Sequence, residues 1–334
     1  MIGNFWHERS VLVTGGGGFV GSWLVKALVE RGAAVTVILR DEPGLSNFRL
    51  LGLASQVNVV QGSITECALV ERAVNEYDVD ACFHLAAQAI VGMANRSPLS
   101  TFESNIRGTW TVLDACRVSK LVERVVVASS DKAYGSQPRL PYTEEMPLLG
   151  ANPYDASKAC TDILARSYQH AFGLPVAVAR CANIYGGGDL NFSRLIPGTI
   201  RSVLAGERPI IRSDGTPVRD YLYVGDAVSA YLTLAEQVER KSVTGEAFNF
   251  AANSPISALE LVQRILEVCG ATHIAPDIRG TGKLANEIDR QYLDSRKAAD
   301  ILGWAPEVSL EEGLRRTVEW YRAILARPAS GGVK

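Results

Sequence analysis

The sequence predicts an α/β protein: a doubly wound parallel sheet with a smaller C-terminal α/β lobe. Three observations predict it. Short apolar runs alternate with segments of helical period through the first half of the chain, as in successive βαβ units. The runs are apolar at consecutive positions, as strands buried on both faces require. A glycine-rich stretch, 15–21, joins the first run to the first helical segment.

Val11–Thr14 is the first strand, and Gly15-Gly16-Gly17-Gly18-Phe19-Val20-Gly21 follows it. A helical segment, Ser22–Arg31, comes next and is stopped by Gly32. The glycines read as GxxGxxG at 15, 18 and 21, or as GxGxxG at 16, 18 and 21. Either way they permit positive φ and let the backbone approach a pyrophosphate, while the helix N-terminus offers free N–H groups to its charge. Placed between a strand and a helix, the motif points to a Rossmann-like dinucleotide site. Its candidate residues are Gly15, Gly18, Phe19, Val20 and Gly21. We read 1–180 as this dinucleotide-binding domain and 181–330 as a second, substrate-binding lobe interleaved with it.

Val35–Leu39 is the second strand and ends in Arg40-Asp41. Asp41 suits the ribose hydroxyls of NAD, and Arg40 the 2′-phosphate of NADP. NAD is favoured, with NADP left open through Arg40. Val57–Val60 is the third strand, followed by Ser63 and Ile64 and a helix near Glu66–Glu76. Ala81–Leu85 is the fourth strand, opening into Ala86-Ala87-Gln88. Small residues there let backbone approach a cofactor, so Ser63, Ile64, Leu85, Ala86 and Ala87 join the cofactor candidates. His84 reads as a core residue. Helical period runs from Pro98 to Ser119, and Val125–Ala128 is a buried strand.

That strand turns abruptly polar at Ser129-Ser130-Asp131-Lys132. In open α/β sheets ligands bind beyond the carboxyl ends of strands. Further on, Pro153 suits a helix start, and Tyr154 and Lys158 lie at i and i+4 on one face of that helix. A phenol is a poor base at neutral pH, and a nearby ammonium is expected to lower its pKa. Ser130 can hydrogen-bond the same substrate oxygen.

Composition narrows the classes. Net charge is −2, without a basic block, which argues against a nucleic-acid partner. No signal peptide or membrane-length apolar run is evident, so a soluble cytoplasmic protein is expected. The six Cys lack a CxxC pair and read mostly as buried thiols; the four His are isolated, and no metal is expected.

Thr14–Gly21, Ser129-Ser130 and Tyr154-xxx-Lys158 resemble the extended short-chain dehydrogenase/reductase family, whose members act mostly on nucleotide sugars. The resemblance covers nearly the whole chain. It is nearest to nucleotide-sugar 4,6-dehydratases, and among them to the CDP-glucose type. Phe5-Trp6, Gly18–Leu24, His84–Gln88, Ser130-Asp131-Lys132, Gly186–Asp189 and Arg194–Pro197 carry it. The CDP-glucose type has Asp-Lys after the Ser, the dTDP-glucose type Asp-Glu, and epimerases usually lack such a pair. Ser63 departs from the family, which commonly has an acid there, and the CDP-glucose type has no equivalent of Arg40. Asp214–Val224 is similar to the dTDP-glucose and epimerase branches, so the base stays open.

The resemblance implies a reaction: NDP-hexose to NDP-4-keto-6-deoxyhexose plus water, with transient hydride storage on bound NAD(P). Ser130, Asp131, Lys132, Tyr154 and Lys158 are then catalytic. Tyr154 takes the C4 hydroxyl proton; Lys132 is assigned the C5 proton and Asp131 the leaving C6 hydroxyl, with the reverse assignment of that pair left open. For Lys132 to act as a base its pKa must fall, for example by burial near Lys158. Gln88, Asn183, Arg194, Arg219 and Arg290 are substrate candidates, Arg194 and Arg219 because arginine pairs bidentately with phosphate; Arg290, with Glu287, is a weaker candidate for nucleotide contacts. Family members usually dimerise through the helices near 98–118 and 153–172, so a homodimer is expected. The competing reading is a nucleotide-sugar 4-epimerase using the same Tyr154/Lys158 pair.

Overall fold

The computed structural model describes residues 5–41, 45–281 and 288–325. Its centre is a seven-stranded sheet. The strands are β1 (Ser10–Thr14), β2 (Ala34–Leu39), β3 (Asn58–Gln61), β4 (Ala81–His84), β5 (Arg124–Ala128), β6 (Val176–Cys181) and β7 (Ala247–Phe250). Their order is β7-β6-β5-β4-β1-β2-β3, every pairing parallel. The order reverses between β1 and β4, so the crevice at their carboxyl ends is the topological switch point where such sheets bind ligands.

Alternation along the strands explains why consecutive positions are apolar. On β5, Val126 and Ala128 face one core with helix residues Leu24, Leu28, Ala227 and Leu234. Val125 and Val127 face the other, with Val70, Val74, Val112 and Cys116. The edge strand β3 buries only Val60. The seventh strand comes from residues well past 180, so the later segment contributes to the first sheet as well as to the second lobe.

That lobe is built on three small sheets. Asn183–Tyr185 pairs with Tyr221–Tyr223, Ile210–Ile211 with Asp277–Ile278, and Val218–Arg219 lies between Ile256–Ser257 and Arg290–Gln291. Helices Leu195–Leu204, Ala258–Cys269 and Leu310–Leu325 enclose its core of Ile196, Ile200, Leu261, Ile265, Leu314 and Val318. Ser257 and Glu260 form a capping box that starts the middle helix.

Two expectations shift. The first helix begins at Phe19, not Ser22, because Gly18 is its N-cap. The helix expected over 98–119 is interrupted: Pro98–Phe102 passes through a π-turn, Glu103–Arg107, into Gly108–Val118. Asn105 in that turn is buried, receives Gln88 N–H at 2.6 Å and donates to Ser157 Oγ at 2.8 Å. A π-turn admits an extra residue into the helix, and here that turn carries the polar tie between β4's loop and the Pro153 helix. All six cysteines are free thiols; Cys67 is exposed. Among the described residues no helix is long and apolar enough to cross a membrane. The tail beyond Leu325 and Glu287 lie outside the described residues.

Candidate active site

The glycine loop is built by close approach. Gly15 has φ +74°, and a Cβ on it would meet Ala86 N at 2.7 Å. A Cβ on Gly21 would sit 2.1 Å from Gly15 O. Gly18 N–H closes the turn onto Gly15 O at 3.0 Å. The helix that starts at Phe19 has no side-chain cap, so its first N–H groups face the crevice, the arrangement a pyrophosphate needs. Phe19, Val20, Leu85 and Ala87 line that crevice, and the residues present fit a dinucleotide.

Behind the loop, His84 is held on both sides. Thr109 Oγ1 donates to Asn105 O at 2.5 Å, so it accepts from His84 Nε2 at 2.9 Å. His84 Nδ1 therefore accepts from Thr14 Oγ1 at 2.8 Å, and that oxygen also takes Ala86 N–H at 3.2 Å. Burial and the nearby Lys158 charge push the imidazole down to about 3, so His84 is a neutral structural link. Ser63 Oγ bonds Thr65 Oγ1 at 2.8 Å, and Ile64 is buried against Gly108. Arg40 Nε donates to Asp41 Oδ2 at 2.6 Å with both side chains exposed, so the two residues expected to bear on NAD against NADP pair with each other.

The polar turn after β5 is a single 3-10 turn, Asp131–Tyr134, capped by Ser130 Oγ on Lys132 N–H at 3.2 Å. Ser130 Oγ also donates to Asp131 Oδ1 at 2.9 Å, and Lys132 Nζ lies 3.4 Å from Asp131 Oδ2. Tyr154 and Lys158 reach the same cavity from the Pro153–Phe172 helix. Lys158 Nζ donates to Ala128 O at 2.6 Å, and burial pushes the amine down to about 8.

One electrostatic expectation is corrected and one holds. Tyr154 is pushed up to about 12, not down: burial outweighs the Ser130 hydrogen bond, and the Asp131 and Asp155 charges add to it. The Lys158 ammonium is committed to the Ala128 carbonyl instead. Lys132 is lowered by burial, as expected, with the Arg219 charge adding to it and Asp131 and Asp155 opposing.

Two cavities adjoin, of about 520 and 590 Å³. The first holds Ser130, Asp131, Tyr154 and Lys158; the second, Asp155, Arg201, Arg212 and Arg219. Lys132, Asn183 and Arg194 line both. Asn183 Nδ2 donates to Asp220 O at 3.3 Å, and Arg194 Nη1 to Asp189 Oδ2 at 2.9 Å. Arg219 Nη1 donates to Asp289 O at 3.1 Å. Gln88 and Arg290 lie beside the cavities and outside their walls: Gln88 Oε1 takes Ile90 N–H at 3.2 Å, and Arg290 is exposed beside Tyr292.

Sequence reasoning missed Asp155, Arg201, Arg212 and Gln291. Asp155 and Arg201 carried a signal: one adjoins Tyr154, the other follows Arg194 by two helical turns. Gln291 sits on a two-residue strand and Arg212 on the bend that follows another, and such short pieces show no period.

The family model described as GDP-mannose 4,6 dehydratase matches residues 12–317. A CDP-glucose 4,6-dehydratase of Salmonella typhimurium is 30% identical, covering 96% of this chain and 92% of that protein. A double mutant of a dTDP-glucose 4,6-dehydratase from Streptomyces venezuelae, solved with NAD bound, superposes with TM-score 0.84 at 31% identity, covering 93% of this chain and 96% of that one. A UDP-glucose 4-epimerase from Thermotoga maritima, solved with UDP-glucose, superposes with TM-score 0.85 at 31% identity, covering 94% and 99%. These three relatives name three bases at nearly equal identity, so they do not single out the CDP-glucose type. With a family model spanning nearly its whole length and a Rossmann-like sheet at its centre, the chain belongs to the GDP-mannose 4,6 dehydratase family, nucleotide-sugar dehydratases of the extended short-chain dehydrogenase/reductase type.

Proposed function

We propose that the chain is an NDP-hexose 4,6-dehydratase working in the cytoplasm, with a CDP-hexose as the first substrate to test because of the Asp131-Lys132 pair. One observation carries the reading: an acid–amine pair stands on the turn that also supplies Ser130, in the same cavity as Tyr154 and Lys158. An epimerase needs proton transfer only at the C4 oxygen; a dehydratase needs a second pair of proton-handling groups for C5 and C6.

Bound NAD(P) would supply a hydride acceptor for C4 and later a hydride donor for C6. The chain's residues handle the protons. As phenolate, the form that the Ser130 hydrogen bond and the Arg194 charge favour and burial opposes, Tyr154 takes the proton of the C4 hydroxyl, and Ser130 holds that oxygen. The C5 proton, made acidic by the 4-ketone, passes to the Lys132 amine. Asp131 stands beside that amine and delivers a proton to the C6 oxygen as it leaves as water, and C5 regains a proton from solvent when C6 is reduced. Arg194, Arg201, Arg212 and Arg219 give the second cavity the cationic wall a diphosphate needs, with Asn183 at the sugar. NAD is favoured over NADP because the Arg40 guanidinium is paired to Asp41.

We also propose a homodimer through the Pro98–Val118 and Pro153–Phe172 faces, which expose Leu99, Trp110, Ile163 and Phe172. Incubating the NAD-loaded protein with CDP-, dTDP- and GDP-hexoses tests the reading. It should yield a 4-keto-6-deoxy product; a C4 epimer without that product would sink it.

A further inference from the structure

Lys132 is faced from four elements. Asp131 lies on its own turn, Asp155 on the Pro153 helix and Arg219 on the Val218–Arg219 strand. The fourth group is Gln291, whose Oε1 accepts from Lys132 Nζ. Gln291 is fully buried, and its Nε2 donates to Asp131 O at 2.9 Å. Its backbone is fixed in register beside Arg219. The amide has only one orientation that satisfies both ends: flipped, it would set N–H groups against the Lys132 amine and its oxygen against the Asp131 carbonyl.

A buried primary amide is suited to this place. It is neutral, so it fixes the amine without adding to the charges that already set its proton affinity. It acts at both ends, so the Asp131 backbone and the Lys132 head are held by one side chain. A lysine on its long flexible stem has another acidic partner within electrostatic reach, Asp155, and the amide holds it away from that choice.

We propose that Gln291 is a positioning residue for the elimination step, holding the Lys132 amine beside the Asp131 carboxylate so that the C5 proton is handed on toward the leaving C6 oxygen. This rests on the dehydratase reading. It also assigns the second lobe a part in the chemistry, because Gln291 reaches the catalytic turn from 159 residues further along the chain.

The test separates the two halves of the reaction. A 6-deoxy NDP-hexose can be oxidised at C4 but has no C6 hydroxyl to lose. Gln291→Leu should lower formation of the 4-keto-6-deoxy product by about 100-fold and leave C4 oxidation of the 6-deoxy sugar, read as reduced nicotinamide, within about threefold of the native protein. Gln291→Glu places a negative charge at the amine and should move the ascending limb of the kcat/KM profile up by about one pH unit. Acetylation of Lys132 by acetic anhydride across pH, read by mass spectrometry, needs no turnover; Gln291→Glu should raise its midpoint likewise. Equal loss of both half-reactions in Gln291→Leu, or an unchanged acetylation midpoint in Gln291→Glu, would overturn the proposal. Failure of the native protein to dehydrate any nucleotide hexose, with the acetylation midpoint shifted, would instead overturn the dehydratase reading.

Discussion

Tyr154 and Lys158 share one cavity yet make different hydrogen bonds, and this sets what each does with pH. Tyr154→Phe should lower turnover by about 10³-fold, within the range for loss of a positioned proton acceptor, and leave the unfolding midpoint within a few degrees. Lys158 holds its proton less firmly in the folded chain, at about 8, than at its ordinary value of 10.5. Between those values the unfolded chain binds more protons, so Lys158 makes stability rise with pH from about 8. Tyr154, raised to about 12 from 10.0, acts in the opposite sense above pH 10. Lys158→Met should therefore flatten the change in unfolding midpoint between pH 8 and 10. An identical rise in both proteins would contradict the assigned proton affinity. The sequence carried the identity of these groups, but not their electrostatics. Burial depth and the direction of the Lys158 amine come from β5 and the Pro153 helix packing together, which no spacing of residues expresses.

The glycine loop and the π-turn are the elements that shape the site. Gly21→Ala places a Cβ 2.1 Å from Gly15 O, so the helix start must move and the pyrophosphate seat with it. The expected result is a loss of about 1–3 kcal/mol in stability, typical of overpacking, and purification without bound nicotinamide; absorbance of the extracted cofactor and a urea melt check both. The loop was fully legible, since glycine spacing between a strand and a helix is a local pattern. The π-turn was not, because it keeps the apolar period on both sides and only shifts its phase. Its cause is distant in sequence: Asn105 must reach both Gln88 and Ser157.

At the scale of the molecule, the site is closed by strands far apart in the chain. Asn249 on β7 takes Tyr134 O–H at 2.8 Å and donates to Asp294 O at 3.2 Å, while Tyr142 forms a bridge with Leu293. The Rossmann-like half was readable because each βαβ unit is local. The second lobe was readable only as a lobe: its strands of two or three residues have no period, so Arg212 and Gln291 were invisible as cavity residues. The exposed apolar positions Leu99 and Ile163 make a claim of their own: Ile163→Glu should convert a dimer to a monomer in analytical ultracentrifugation, and a native protein that sediments as a monomer would refute the interface.

In the proposed reaction, Asp131 and Lys132 make this family member a dehydratase. The direct measurement is incubation of the NAD-loaded protein with CDP-, dTDP- and GDP-hexoses in deuterated water, with the product read by mass spectrometry and NMR. A 4-keto-6-deoxy sugar that has lost one water, carries solvent deuterium at C5 and leaves no net reduced nicotinamide is the predicted result. A C4 epimer of unchanged composition, with no deuterium at C5, would contradict it.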